Sequence, residues 1–327
     1  MRGTRILSLL ATIAAVAVQV TAPSAHAQYP NKPIRLLVPF APGGSSEIVS
    51  RAYGLEMSKV LGQNIIVENK PGGAGNIAMV EAKGAEKDGY TIILAHVGTV
   101  AVNPAMFGAK LPYDPVKDFV PITLLSKVPS VFVVNSNVAA KNLKEYVALA
   151  KAKPGTMNFG SAGNGSSGHL AMAYLNQTAG LDAQHVPYKG TGPMLTDLIA
   201  GRLEATFTGA PPLLPHVKDA KLRALAVGTS KRIAALPDVP TVAEQGFAGF
   251  ETSQWYGLMA PAGTPEAIIK KLHEAAVAAS KAPAVAERLA AEAAEPVTMT
   301  PKEFAAYIAV EMKRWGEVVR KGNIKAD

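Results

Sequence analysis

Two rhythms of apolar and polar positions run along this chain. Residues 34–40 are an apolar run without alternation, which predicts a strand buried on both faces. Pro42-Gly43-Gly44-Ser45-Ser46-Glu47 breaks the run. Apolar positions then resume as Ile48, Val49, Ala52 and Leu55, a helical spacing that lasts to about residue 61. A strand at 64–69, a second glycine-rich turn at 71–76, a short helix to 84 and a buried strand at 91–95 complete a βαβαβ pattern with a parallel sheet.

A loop rich in Gly, Asn and Pro follows. Residues 119–134 read as one long strand-like segment interrupted by Pro129, which suits a strand crossing between lobes and not a central one. From 143 the alternation restarts, with helices predicted at 143–152, 166–178, 193–200 and at Pro211-Pro212. Strands are predicted at 157–161, at a segment ending at 186–190, at 203–207 and at 222–227. Residues 255–260 are a second candidate crossing. The tail reads as helical. Thr264 is a candidate N-cap with Pro265 at the first helical position and Glu266 in the first turn, and Thr300-Pro301-Lys302-Glu303 has capping-box spacing.

Length adds to this picture. At 327 residues, 48% of them hydrophobic, the chain reaches the size at which a single core stops growing, so two lobes are expected. The net charge is +8, but the basic residues are scattered, with no Lys/Arg stripe interleaved with aromatics. That argues against nucleic acid and fits anionic solutes, or solubility alone. Arg2 and Arg5 precede an apolar run at 6–20, and Ala25-His26-Ala27 matches the small-x-small pattern of a secretory signal cut after Ala27. The run is shorter than the roughly 20 residues of a membrane anchor. With no cysteine in the sequence, disulfides and a lipidated cysteine are excluded. An exported, soluble protein is the expectation.

The candidate chemistry lies in the turns. A strand feeding a helix aims unpaired backbone N–H groups, and the positive end of the helix dipole, at the turn between them. The turn at 42–47 has a near-twin in Gly163-Asn164-Gly165-Ser166-Ser167-Gly168. That segment also matches the dinucleotide pattern G-x-G-x-x-G. Its next strand, however, ends in Tyr188-Lys189 and not in an acid, so an anion cradle using the hydroxyls of Ser166 and Ser167 fits better. A plain helix start with an N-cap serine remains open. Neither serine stands in G-x-S-x-G, the six histidines show no ligand spacing, and the carboxylates form no pair. No nucleophile, base, metal site or cofactor box emerges. His96 follows a buried strand, where it either touches a solute or satisfies a loop. Glu47 either complements a helix dipole or faces the cleft, and Tyr188 is placed to wall a pocket.

The sequence resembles the Bug family of periplasmic solute receptors, the extracytoplasmic subunits of tripartite tricarboxylate transporters. YPNKPIRLLVPFAPGGSSE, ENKPGGAGNIA, LPYDPVKDF, GSAGNGSSGHLA, HVPYKGTGPMLTDLIAG and LPDVPTVAEQG carry the resemblance, which spans essentially the whole mature chain. It implies a two-lobed α/β periplasmic-binding fold of type II, each lobe a mostly parallel sheet flanked by helices and joined by two crossing segments. By resemblance, the turn at Phe40, Ala41, Pro42, Gly43, Gly44 and Ser45 holds a carboxylate through backbone N–H groups and bound waters. The turn containing Ser161, Asn164, Gly165, Ser166 and Ser167 receives it from the facing lobe. The family usually has Asp where Glu47 stands, commonly Thr at His96 and often Asp at Thr208, so no one member's ligand carries over.

These readings converge on a non-enzymatic receptor for a small organic carboxylate, without cofactor or metal. Lobe 1 is expected at 28–129 and 253–327, and lobe 2 at 130–252. The receptor would close about segments near Pro129 and Trp255, act as a monomer and dock on the permease subunits of a membrane transporter. A ligand-sensing subunit for a membrane kinase needs the same fold. A periplasmic hydrolase using Ser166 or Ser167 is the rival from another class.

Overall fold

The computed structural model describes residues 29–325 apart from 41, 43, 44, 189 and 292; the expected signal at 1–27 lies outside the described residues. The first apolar run is β1 (Ile34–Val38), and its residues divide between two cores. Ile34, Leu36 and Val38 enter one, and Leu37 enters the other. Both faces are covered, which is why the run lacks polar alternation.

In chain order there follow α1 (Ser45–Leu61), β2 (Ile65–Asn69), α2 (Asn76–Lys83), β3 (Thr91–His96), α3 (Asn103–Phe107) and β4 (Phe119–Asn135). Next come α4 (Leu143–Ala152), β5 (Asn158–Ser161), α5 (Ser167–Ala179), β6 (Gln184–Pro187), α6 (Thr191–Ile199), β7 (Ala205–Gly209), α7 (Leu214–Lys218) and β8 (Leu222–Val227). The chain ends with β9 (Ser253–Pro261), α8 (Glu266–Ser280), α9 (Pro283–Ala291), β10 (Glu295–Pro296) and α10 (Pro301–Lys321).

Two sheets share β4. The first has the order β2-β1-β3-β9-β4, with parallel pairing of β1 to its neighbours and antiparallel pairing of β9. The second has the order β4-β7-β5-β6, with β8 also on β4. The change of partner falls beside Pro129, as the sequence predicts. Pro129 still faces Ser253 of the first sheet, while Ser130 faces Gly209 of the second. The second crossing lies slightly upstream of the predicted stretch. Thr252 N–H still donates to Gly228 O, and Trp255 already sits inside β9 against Lys127.

Helices cover both faces of each sheet. Val49 and Tyr53 of α1 pack with Leu272 of α8 and Val285 of α9 on one side of the first sheet. Met79 of α2 and Phe304, Ile308 and Trp315 of α10 cover the other. In the second sheet Phe132 and Val134 face α4 and α5, whereas Val131 and Val133 face α6. The tail thus packs on the first sheet, and α10 also reaches α5, where Gln177 Nε2 donates to Val318 O at 2.8 Å.

The local signals fare unevenly. Thr300 forms the predicted capping box with Glu303, and Ser166 caps α5 by accepting from His169 N–H. Thr264 does not cap α8. Its hydroxyl donates to Pro261 O at 2.8 Å, and the cap position falls to Pro265, whose carbonyl takes the first helical N–H groups. The helix predicted from Pro193 begins at Thr191, because proline is tolerated in a first turn whose N–H groups have no partner. The prolines Pro211 and Pro212 form the turn ahead of α7, and the strand predicted at 203–207 runs two residues later as β7.

Candidate functional site: a cleft between the two sheets

The carboxyl ends of the parallel strands open on a shared cleft of about 690 Å³, the position at which open α/β sheets take ligands. The first sheet contributes Phe40 and Ser45 beyond β1, His96 at the end of β3, and Gln254 and Tyr256 on β9. The second contributes Ser166 and Ser167 after β5, Thr208 and Gly209 at the end of β7, and Thr191 and Gly192 at the head of α6. Three helices, α1, α5 and α6, therefore begin at the cleft. The amides of their first turns lack intrahelical partners and carry partial positive charge. Among the described residues lining the cleft there is no Lys, Arg, Asp or Glu. An anion here would be held by dipoles and neutral donors.

The turn at the head of α5 is assembled from beneath. Ser161 is fully buried; its hydroxyl accepts from Gly163 N–H at 3.1 Å and lies 2.6 Å from His185 Nε2. His185 stacks on His169 with ring centroids 3.8 Å apart, and His169 Nδ1 accepts from Gly165 N–H at 3.1 Å. Gly163 and Gly165 have φ of 125° and 70°, which a side chain would strain. Ser161 thus shapes the turn without lining the cleft. The Gly165 N–H is already used, and the amides left to a ligand are those of Ser167 and Gly168 in the first turn of α5.

His96 is buried, 7% exposed, with its ring edge-on to Phe40 and near Tyr256. Burial pushes its pKa down to about 3, so it is neutral at physiological pH. Gly98 N–H donates to His96 Nδ1 at 2.9 Å, which puts the remaining ring proton on Nε2. His96 satisfies its loop through one nitrogen, and the residue also lines the cleft.

Six residues named from the sequence meet at the cleft: Phe40, Ser45, His96, Ser166, Ser167 and Thr208. Others lie outside its lining. Pro42 is exposed. Glu47 pairs with Arg51 at 2.6 Å, one turn along α1. Asn164 and Gly165 belong to the turn behind the lining. Tyr188 donates to Asp197 Oδ2 at 2.6 Å; burial and that carboxylate raise its pKa to about 12. Ala41, Gly43 and Gly44 lie outside the described residues. The sequence reading missed Gln254 and Tyr256, which carry no motif, and the α6 head, which the Thr-Gly-Pro at 191–193 could have signalled.

No catalytic set stands in the cleft among the described residues. Ser167 Oγ accepts from an amide, Ser166 Oγ caps a helix, and the Ser161–His185 pair lies under the turn. No group of His, Asp and Glu able to hold a metal is present among the described residues either.

Comparison with known proteins bears on the family and the fold. Residues 49–324 match the tripartite tricarboxylate transporter family receptor. Protein BugT of Bordetella pertussis is 35% identical over 325 residues, covering 99% of each chain. A solved structure described as a periplasmic transporter is 44% identical with a TM-score of 0.83, covering 91% of this chain and 100% of that one. MatC from Rhodopseudomonas palustris, solved with bound malate, is 34% identical with a TM-score of 0.79, covering 89% of this chain and 100% of its own. The chain belongs to the tripartite tricarboxylate transporter receptors, a family of non-enzymatic periplasmic solute-binding proteins with this two-lobed α/β fold.

Proposed function

We propose that this protein is exported to the periplasm, captures a small organic carboxylate in the cleft, and delivers it to the permease subunits of a tripartite tricarboxylate-type transporter. The observation that carries the reading is the convergence of α1, α5 and α6 on a cleft without charged side chains among its described lining. Such a site favours an anion through oriented amides and neutral hydroxyls, and releases it more readily than a buried ion pair would. MatC, a relative, holds malate.

In this reading residues 1–27 are the signal, 28–129 with 253–327 form lobe 1, and 130–252 form lobe 2. The hinge is the pair of sheet changes at Pro129–Ser130 and Thr252–Ser253, and the receptor works as a monomer. The carboxylate sits between the backbone of residues 40–45 and the head of α5 at Ser166 and Ser167. A thermal-shift screen of mature protein, refolded to strip carried-over ligand, tests this against di- and tricarboxylates, keto acids, aromatic acids and amino acids. Ligand at 100 times its dissociation constant adds about 2.7 kcal/mol. A clear upward shift with a carboxylate is expected; a folded protein that responds to none of them overturns the reading.

A further inference from the structure

A second cavity, of about 540 Å³, lies behind the crossing strands. Its position follows from strand alternation. Gln254 and Tyr256 of β9 line the cleft, whereas Ser253, one position out of phase, lines the second cavity with its cross-strand partner Pro129 and with Lys127 of β4. Successive side chains point to opposite faces of a strand. The ribbon between the two sheets therefore has the cleft on one face and this cavity on the other.

Both sheets supply its walls. Ala290 and Val297 come with α9 and β10, and Ile233 and Ala234 belong to the loop after β8. Ala293, between α9 and β10, crosses over to pack against the same second-sheet core as Ile233. A movement of one sheet against the other must then change the cavity's width. Rotation about a ribbon narrows one face as it widens the other, so closure of the cleft opens the cavity.

The walls differ from the cleft in chemistry. Small apolar side chains make the space, whose size suits a small molecule. Charges at its described rim balance: Lys127 and Lys231 stand with Glu251 and Glu295, and Arg232 pairs with Glu244 at 3.0 Å. An anion gains no excess of positive charge here, whereas an uncharged apolar body gains by leaving water.

We propose that this cavity is a second ligand site, for a compact uncharged apolar molecule, and that filling it holds the back of the hinge apart and shifts the protein toward the closed cleft. Carboxylate affinity then rises by the factor by which the carboxylate tightens the apolar ligand. The coupling rests on the receptor reading above; the site does not.

The probe is N-phenyl-1-naphthylamine, an uncharged fluorophore that brightens in apolar surroundings. Saturable binding to the mature, ligand-stripped protein is expected. Ala234→Trp fills the cavity from one wall and is expected to weaken that binding at least about tenfold. Ala290→Trp does so from the opposite wall and serves if the first variant does not fold; both alanines are exposed. Isothermal titration with malate and succinate reads the coupling. Saturating fluorophore is expected to tighten the dicarboxylate about fivefold or more, and either tryptophan to do the same without it. A fluorophore that fails to bind, or that binds both variants as tightly as the wild type, overturns the site. Dicarboxylate affinity left unchanged or lowered overturns the coupling. If no carboxylate binds, the receptor reading falls and the fluorophore still decides the site. Solution scattering then decides the coupling: a smaller radius of gyration is expected on filling, and an unchanged one overturns it.

Discussion

Gln254 Nε2 donates to Ser167 Oγ at 2.6 Å, joining the start of β9 to the head of α5 across the base of the cleft. The amide is oriented by a second bond, Tyr256 Oη donating to Gln254 Oε1 at 2.7 Å. With its oxygen accepting from Gln254, the Ser167 hydroxyl keeps its own proton for the cleft, where a carboxylate oxygen can take it. One uncharged chain thus runs from the first sheet to the second turn, and a ligand that binds Ser167 feels the position of the crossing strand.

Gln254→Leu removes that orientation while keeping the bulk. Carboxylate affinity is expected to fall about tenfold, and Ser167→Ala to cost a similar factor. Because the two act through one hydroxyl, the double variant should lose little beyond the larger single loss. Isothermal titration of the four proteins gives the coupling; losses that simply add would separate Gln254 from Ser167.

A different link fixes the far side of β9. Glu311 of α10 is 2% exposed, and its Oε2 accepts from both Trp255 Nε1 and Trp315 Nε1 at 3.0 Å, with Arg314 at 3.0 Å from Oε1. Glu311→Ala leaves two buried indole N–H groups without an acceptor and is expected to cost about 3 kcal/mol in urea unfolding. Glu311→Gln keeps an acceptor oxygen and should cost less. Equal losses for the two variants would mean that packing, and not the shared acceptor, holds α10 to the strand.

The sequence makes the frame more legible than the floor of the cleft. The helix at 143–152 and the strand at 222–227 appear at their predicted bounds, since each carries a clear period and a bounding turn. Pro129 announces the crossing because proline cannot donate in a central strand. The Ser166 turn is legible because glycine spacing and an N-cap serine are local signals. Gln254 and Tyr256 are not, since their role depends on β9 lying between β3 and β4, a pairing made over long sequence separations. His96 shows the limit from the other side. Its position at a strand end was readable, but its single free nitrogen follows from the Gly98 amide turning back on it.

Gly257 has a steric reason that no propensity encodes. It faces Leu124 and Ala95 across the sheet, and a Cβ there would run into the Phe304 ring and stand 2.8 Å from Thr123 O. Gly257→Ala is expected to destabilise the protein by about 1–3 kcal/mol through overpacking. Gly257→Ala with Phe304→Leu should recover part of that in thermal melts, though the backbone contact remains. A single variant as stable as the parent would show that α10 can shift without cost.

The same burial that keeps His96 neutral makes it a source of acid sensitivity. Its folded pKa is depressed to about 3 from an ordinary 6.5 by desolvation, so below pH 6.5 the unfolded chain takes up a proton that the folded protein refuses. The stability His96 contributes is therefore complete above that pH and is lost as pH falls through the window toward 3. Protonation in the folded state would also require Nδ1 to stop accepting from Gly98. Linkage puts the loss between pH 7 and pH 5 at about 2 kcal/mol from this residue. His96→Asn retains an oxygen that can accept from Gly98 N–H but cannot titrate. It is expected to start less stable at pH 7, since the smaller side chain leaves space, and that offset is not the readout. The slope is: urea unfolding at both pH values should show the wild type losing about 2 kcal/mol more than the variant. Parallel losses would mean that His96 protonates in the folded protein near its ordinary pKa, and that the cleft is wetter around the ring than its 7% exposure implies.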